Sequence, residues 1–523
     1  MIAGVFHLVR LARAGFVFAR EGVFALVDTR PLPWPARSGV AIARLLERPG
    51  TKSGESRLAA ALTRLGPTYV KLGQFLATRP DVVGPVIAHD LESLQDKMAP
   101  FPQTEAEAAI TAAFDKPLSK VYASFGPAVA AASIAQVHRA EIEAGGSRKP
   151  VAVKVLRPGI EHRFRSDLDS FFFAARLAES LSAEGRRLRL VEVVATLARS
   201  VAIEMDFRLE AAAASEMAEN TREDTDFRVP QVDWDRTARE VLTLEWIDGI
   251  RLSDHGALQA KGFNLPELGR KVIQSFLRHA LRDGFFHADM HPGNLFVDDT
   301  GRLVAVDFGI MGRLGPKERR FLAEILFGFI TRDYHRTAQI HFDAGYVPRH
   351  HSVESFAQAI RAIGEPIHNR TAEDISMAKL LMLLFEVTGL FDMRTRPELL
   401  LLQKTMVVVE GVARSLDPKL DMWSTADPVV REWITRHLGP IGRFEDAVEG
   451  AGEVGRFLGQ TPALLTRAGT LLDQLDDITR DGLVLSPETV SAIGAAEARR
   501  NRWTTIALWV IAALLLWVVW LIA

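Results

Sequence analysis

The sequence predicts an α+β chain of two lobes, with an N-terminal helical extension and a C-terminal transmembrane helix. Three observations predict it: helical apolar spacing up to about residue 116, a change to short alternating stretches between 117 and 250, and an uncharged apolar run at the end. Three- and four-residue steps mark an amphipathic helix, whereas strict alternation marks a half-buried strand. At 523 residues the chain exceeds the usual span of one compact core, so several domains are expected. The net charge of -2 gives no global basic field, and no nucleic-acid partner is expected. Cysteine is absent, which excludes disulfides and thiolate metal sites.

Residues 1–30 mix apolar side chains with Arg10, Arg13, Arg20 and Glu21. They lack the uninterrupted apolar core and small-residue cleavage site of a signal peptide, so an amphipathic helix is expected, lying on a membrane or packed on the domain. "RPLPWPARSG" follows, where three prolines within five residues prevent helix continuation. The helical extension, 31–116, carries Leu58, Leu62, Leu65, Tyr69, Leu72, Phe75 and Leu76 at helical spacing. Within it, "GPTYVKLGQFLATRPD" puts Lys71 and Gln74 on one helix face, close to the apolar side. By itself that pattern fits a lysine snorkelling to water.

Residues 117–250 read as strand, tight loop, strand, loop, strand. In "PVAVKVLRP" Val151, Val153 and Val155 alternate with Ala152, Lys154 and Leu156, which places Lys154 in the third strand. Its neighbours match the strand lysine that holds nucleotide phosphates in protein kinases. Such a lysine needs a carboxylate partner. The helical stretch 189–219 offers Glu204, Asp206 and Glu210, and Glu204 is the expected partner because the pairing glutamate of kinases lies on the first long helix after the strand. Their wide separation requires a helical insertion between them. "EVLTLEWIDG", 240–249, reads as the hinge between lobes, with Glu245 at the strand end where backbone groups would meet an adenine.

In "FHADMHPGNLFVDDTGRLVAVDFG", 286–309, Asp289 supplies a carboxylate aimed at a nucleophile and Asn294, five residues on, a metal ligand. Asp307 supplies the ligand for a phosphate-bridging Mg²⁺, a cation that favours oxygen donors and open positions. His287, Asp289 and His291 form an H-x-D-x-H pattern, which leaves a zinc hydrolase as the competing metal reading. No second cluster has comparable spacing, and the adjacent His350 and His351 are expected to point apart.

The second lobe, 251–435, is rich in apolar helical runs such as "FLAEILFGFI", which suit a core. Residues 436–502 read as a helical connector. The run 503–523, "WTTIALWVIAALLLWVVWLIA", reaches about 31 Å as a helix, enough to span a bilayer once. Trp503 and Trp520 lie near its ends, and Arg499, Arg500 and Arg502 before it would keep the preceding domain on the cytoplasmic side. A buried helix and two re-entrant helices are the other readings.

"KLGQ", "AAASIAQVH", "VAVK", "EMD", "HADMHPGN" and "DFG", in this order over roughly residues 60 to 330, resemble the UbiB family, the aarF-domain atypical kinases linked to ubiquinone biosynthesis. The resemblance implies a two-lobed protein-kinase-like fold that binds ATP and Mg²⁺, and a kinase or ATPase activity. It also implies an alanine-rich nucleotide loop, Ala130, Ala131, Ala132 and Ser133, in place of a glycine-rich one. Backbone N–H groups of 128–133 could approach phosphate, but each Cβ restricts positive φ. In the family the K-x-G-Q element (Lys71, Gln74) and the E-x-D element (Glu204, Asp206) meet over the active site, where a peptide would otherwise bind. The implied partners are isoprenoid quinone precursors or membrane lipid, other ubiquinone-biosynthesis enzymes and the membrane itself. The implied location is the inner (cytoplasmic) membrane of a bacterium. An ordinary protein kinase and a catalytically silent nucleotide-binding scaffold are the alternatives.

Overall fold

A computed structural model describes residues 2–26, 34–48, 56–77, 79–92, 94, 98–181, 183–366, 387, 389–393 and 397–438. The expected change from helical to alternating sequence appears as a helical extension leading into an antiparallel sheet. Helices α1 (Ile2–Arg20), α2 (Trp34–Leu45), α3 (Arg57–Leu65), α4 (Pro67–Ala77), α5 (Pro80–Val83) and α6 (Pro85–Glu92) come first, followed by α7 (Gln103–Phe114) and α8 (Leu118–Val121). Strands β1 (Ser124–Ala131), β2 (Ala135–Ala144) and β3 (Ser147–Leu156) then form a meander. Gly145 and Gly146, both at positive φ, make the two-residue turn between β2 and β3, a conformation that residues with a Cβ rarely adopt.

The insertion expected after Lys154 consists of α9 (Ile160–Leu181) and α10 (Ala183–Leu188). Next come α11 (Leu190–Glu204) and α12 (Phe207–Asn220), then β4 (Phe227–Arg228) and β5 (Val241–Glu245). Strand β5 pairs with β3 and completes a sheet of order β1-β2-β3-β5. Alternation along β3 has the expected result: Val151, Val153 and Val155 are buried against Phe101, Ala106 and Ile110 beside α7. Lys154 takes the opposite face, its Nζ lying 5.4 Å from the Phe207 ring centroid.

The extension shares its core with this lobe. Leu62, Leu65, Tyr69 and Val70 pack with Phe164 and Phe171 of α9, Leu197 of α11 and Phe207 of α12. Burying each such side chain contributes about 1.5–3 kcal/mol, so the extension is an integral part of the lobe. Helix α1 lies on α9, with Ala14 buried and His7 Nδ1 3.1 Å from Ser170 Oγ. Phe6, Val9 and Phe16 remain exposed on it.

The second lobe contains β6 (Gly249–Arg251), α13 (His255–Ala260), α14 (Leu265–Arg278), β7 (Phe285–His287), β8 (Leu295–Asp298), β9 (Leu303–Ala305) and β10 (Met311–Arg313). Its sheets have the orders β4-β9-β8-β6 and β10-β7. Asn264 caps α14 by accepting the Glu267 N–H at 3.3 Å, and Pro266 occupies the first turn, where its missing N–H leaves no bond unmade. The apolar stripe of α14, Leu268, Val272, Ile273 and Phe276, is buried, and the helix packs against Pro397–Leu416. Helices α15 (Pro316–Ile330), α16 (Tyr334–Asp343) and α17 (Val353–Gly364) cover another side, and Met422–Leu438 ends the described chain.

Among the described residues no helix is long and apolar enough to cross a membrane. The run expected to do so, 503–523, lies outside the described residues, as does nearly all of the 436–502 connector.

Candidate active site

Three segments converge at the junction of the lobes: strand β3 with Lys154, the turn from β7 to β8 with Asp289 and Asn294, and the turn from β9 to β10 with Asp307. Lys154 Nζ donates to Asp307 Oδ1 at 2.9 Å, so one ammonium ties the strand of the first lobe to the metal-ligand position of the second. Asp307 has φ +65, a left-handed conformation that Asp tolerates better than most residues. Its own packing opposes ionisation, but the ammonium of Lys154 overrides this and holds the carboxyl below its usual range, with Lys71 adding to the effect.

The expected partner of Lys154 is corrected here. Glu204 does not pair with it; Glu210 does, accepting from Lys154 Nζ at 2.8 and 3.0 Å through its two oxygens. The reason is a break between helices. Helix α11 ends at Glu204, and Asp206 starts α12 as its N-cap, accepting the Arg208 N–H at 3.2 Å. The new helix brings Glu210, buried in its first turn, against β3. Burial and the neighbouring Asp307 push the Glu210 carboxyl up to about 7, with Lys154 opposing them. Glu210 therefore stands with Lys154 and Asp307, while Glu204 lies outside that group.

Glu204 instead receives Lys71 Nζ from α4 at 2.5 Å, and both side chains are largely buried. The K-x-G-Q lysine and the first residue of E-x-D thus meet beside the cleft, where the charge of Lys71 is felt at Asp307. Asp206 takes a different role from the one expected. Besides capping α12, it holds the Arg208 guanidinium at 2.7 and 2.9 Å. Gln74 sits half-buried on α4.

The turn after β7 is held at several points. Asn294 Nδ2 donates to the Asp289 carbonyl at 3.1 Å and to its Oδ2 at 3.3 Å, which leaves Asn294 Oδ1 as the atom able to face a cation. Ala288 N–H donates to the Ile310 carbonyl, and the Ala288 carbonyl accepts from Thr405 Oγ1 at 3.1 Å. Thr405, a fully buried hydroxyl on the helix Pro397–Leu416, has no signal in the local motif and is missed by sequence reasoning.

The zinc alternative fails at His287. Its Nδ1 accepts the Asp289 N–H at 3.0 Å, its Nε2 donates to the Val306 carbonyl at 3.2 Å, and the ring is fully buried. Burial favours the neutral ring. His287 therefore orients Asp289, and His291 Nδ1 accepts the Gly293 N–H. Asn294 Oδ1 and the Asp307 carboxylate form an oxygen donor set, which fits Mg²⁺ with water and phosphate completing the shell.

The alanine-rich loop is narrower than its sequence implies. Ala130 and Ala131 belong to β1, opposite Val137 and Gln136, and the Ala132 N–H is committed to the Ala135 carbonyl at 2.8 Å. Ser133 is fully buried. Residues 98–101 brace the hairpin from outside. Met98 N–H donates to the Ala131 carbonyl, and Arg157 Nη2 donates to the carbonyls of Ala99 at 3.0 Å and Ala132 at 3.3 Å. Buried Gln136 closes both backbone groups of Phe101, accepting its N–H at 2.9 Å and donating to its carbonyl at 3.3 Å. The signal for this was available: Gln136 and His138 are two polar residues at successive inward positions of a strand. Gln136→Ala orphans both Phe101 groups at about 1–3 kcal/mol each. The expected result is a lower melting temperature together with weaker nucleotide binding, read by calorimetry on the purified variant.

The hinge is also corrected in detail. Glu245 N–H donates to the Gln231 carbonyl at 2.8 Å and its carboxylate holds Arg228 at 3.0 and 3.1 Å, so neither group is offered to an adenine. Residues 246–248, between β5 and β6, form the crossing between lobes.

A strand lysine paired with a helix glutamate, a looped aspartate with an asparagine five residues on, and a second aspartate in the turn between β9 and β10 define a protein-kinase-like site. Residues 93–341 match the ABC1 atypical kinase-like domain and residues 360–421 match the UbiB helical domain. A curated relative from Marinobacter nauticus, "Probable protein kinase UbiB", is 41% identical over 443 residues, 83% of this chain and 80% of that protein. Another of the same name from Pseudomonas fluorescens is 38% identical over 84% of each. The chain belongs to the UbiB family of atypical kinases. A solved Mycobacterium tuberculosis structure, Rv3197 in complex with erythromycin, shares the fold with a TM-score of 0.52, 22% identity, and coverage of 76% of this chain and 98% of that one.

Proposed function

We propose that this chain is a membrane-anchored kinase or ATPase that binds Mg-ATP and couples its hydrolysis, or phosphorylation of a small molecule, to handling of isoprenoid precursors in ubiquinone biosynthesis. One observation carries the catalytic part: Lys154, Glu210 and Asp307 form a continuous charge network across the lobes, and the Asn294 amide is bonded to Asp289 in the β7–β8 turn. Lys154 would hold phosphate oxygens, Glu210 would fix the lysine, and Asp289 would orient the attacking hydroxyl or water. Bound Mg²⁺ would neutralise phosphate charge, with Asp307 and Asn294 as its protein ligands.

The Lys71–Glu204 pair supports a small acceptor over a protein one, because α4 and α11 bring it beside the cleft that a peptide would need. Membrane attachment rests on the 503–523 run and its arginine-rich N-terminal flank, and a bacterial inner-membrane location follows from the family. Restoration of quinone in a bacterium lacking its own family member tests the reading. The native chain is expected to restore it and Asp307→Asn is not; equal restoration by the variant would refute the catalytic part.

A further inference from the structure

His350 and His351 do not diverge as their adjacency suggested. Their rings lie 4.1 Å apart, centroid to centroid, and both Nε2 atoms face one oxygen of Asp392. We propose that His350, His351 and Asp392 form a binding site for a borderline transition-metal cation of the Zn²⁺ type, joining the loop after α16 to the turn at 389–393. This site shares no residue with the nucleotide cleft and does not depend on the function proposed for it.

The geometry comes close to what such an ion requires. His351 Nε2 is 3.3 Å and His350 Nε2 3.7 Å from Asp392 Oδ2, and the three ligand atoms lie within 4.8 Å of one another. Tetrahedral Zn²⁺, with bonds of about 2.0–2.2 Å, spaces neighbouring ligand atoms roughly 3.3–3.5 Å apart. The His351 to Asp392 edge already has that length. The adjustment falls on His350, whose side chain is 66% exposed and meets little resistance.

Two of the three ligands are pre-positioned by the fold. The His351 ring rests on Phe391 at 5.2 Å, and Phe391 is buried against Phe356 at 4.9 Å in the cluster with Tyr334 and Ile360. Asp392 follows Phe391 directly and has φ +49, the left-handed conformation that turns the chain. Paired imidazoles with one carboxylate suit Zn²⁺, Ni²⁺ or Co²⁺ and disfavour Mg²⁺, so this cation would not compete with the one proposed for Asp307. Three protein ligands leave at least one position for water. Because the ligands are 41 residues apart, a bound ion would close a long loop and restrict the unfolded chain.

The test uses the full chain, purified in detergent and stripped with chelator, then titrated with ZnCl₂ alone against a chromophoric competitor. The native protein is expected to take up one equivalent and to melt at a higher temperature when loaded. His350→Ala and Asp392→Ala, both exposed, and the half-buried His351→Ala should each lose that equivalent and the thermal shift while keeping the native circular dichroism. Co²⁺ in place of Zn²⁺ should give the visible absorption of low-coordinate cobalt in the native chain alone. Uptake equal in the native chain and the three variants would place the ion elsewhere and overturn the proposal. Absence of uptake by the native chain would also overturn it, leaving ordinary histidine–carboxylate contacts.

Discussion

Glu210→Gln is expected to weaken Mg-ATP binding by about tenfold or more at pH 8, while Glu204→Gln leaves it within about threefold. The difference follows from the two pairings: Lys154 donates to both oxygens of Glu210, whereas Glu204 receives Lys71. Hydrogen bonds to charged groups contribute about 1.5–3 kcal/mol, and loss of one fixed partner frees the lysine from the orientation that phosphate needs. The same pairing makes binding depend on pH. The Glu210 carboxyl, pushed up to about 7 by burial, is charged above that value and protonated below it. Affinity should therefore fall as the pH drops through about 7, and the Glu210→Gln variant should show no such limb. The stability sign is opposite. A carboxyl raised above its unfolded value of about 4.3 makes the folded state the stronger proton binder between there and 7, so its contribution to stability decreases as pH rises across that window. Calorimetric binding titrations of the three proteins from about pH 5.5 to pH 8.5, either side of the Glu210 transition, check the first statement, and thermal unfolding from about pH 4 to pH 7.5 checks the second.

Lys154→Met should have the larger effect on turnover. It removes the only ammonium within hydrogen-bonding reach of both Glu210 and Asp307 among the described contacts, leaving two carboxyls facing one another. Phosphate release should fall by roughly 10²–10³-fold, the range seen when a preorganised group that stabilises developing charge is deleted. Breaking a buried pair from one side typically costs about 3–5 kcal/mol. Here the loss should fall at the low end, because Glu210 already tends toward its neutral form and can keep a proton once Lys154 is gone. Thermal unfolding at pH 6 and pH 8, roughly one unit either side of the Glu210 transition, should show the smaller loss at pH 6.

What the sequence conveyed well was local. The position of Lys154 follows from alternating valines, and the Asp289, Asn294 and Asp307 turns follow from short contiguous motifs whose residues stay close in space whatever surrounds them. Glu210 was hidden because choosing between two glutamates six residues apart requires knowing where α11 stops. A clue was present in Asp206, an N-cap residue type at the start of a helix, which places the break between Glu204 and Glu210. Reading "EMD" as one helical element missed it. Thr405, Gln136 and the 98–101 brace were less legible, since each acts on backbone groups far away in the chain. The convergence of His350 and His351 on Asp392 likewise depends on Phe391 being drawn into a core, which no spacing rule conveys.

The family and the geometry agree on a protein-kinase-like site, and the packing of α4 favours the small acceptor proposed for it. Helix α4 lies in the same hydrophobic core as α9, α11 and α12, so the Lys71–Glu204 contact is held by packing as well as by charge. Moving α4 away to admit a polypeptide would expose its own Tyr69 and Val70 together with Leu62 of α3, which packs against it, each now buried. At about 1.5–3 kcal/mol per side chain, that opening costs more than a transient peptide contact is expected to return. A small or membrane-borne acceptor, reached from the side, avoids this cost.

The central claim is tested most directly by Mg²⁺-dependent phosphate release from ATP, measured on the purified full chain with liposomes that contain or lack an isoprenoid phenol, beside Asp307→Asn. The account expects release that rises with the phenol-bearing liposomes and disappears in the variant. Release no greater than that of Asp307→Asn under every lipid condition, in a protein that still binds nucleotide, would contradict it.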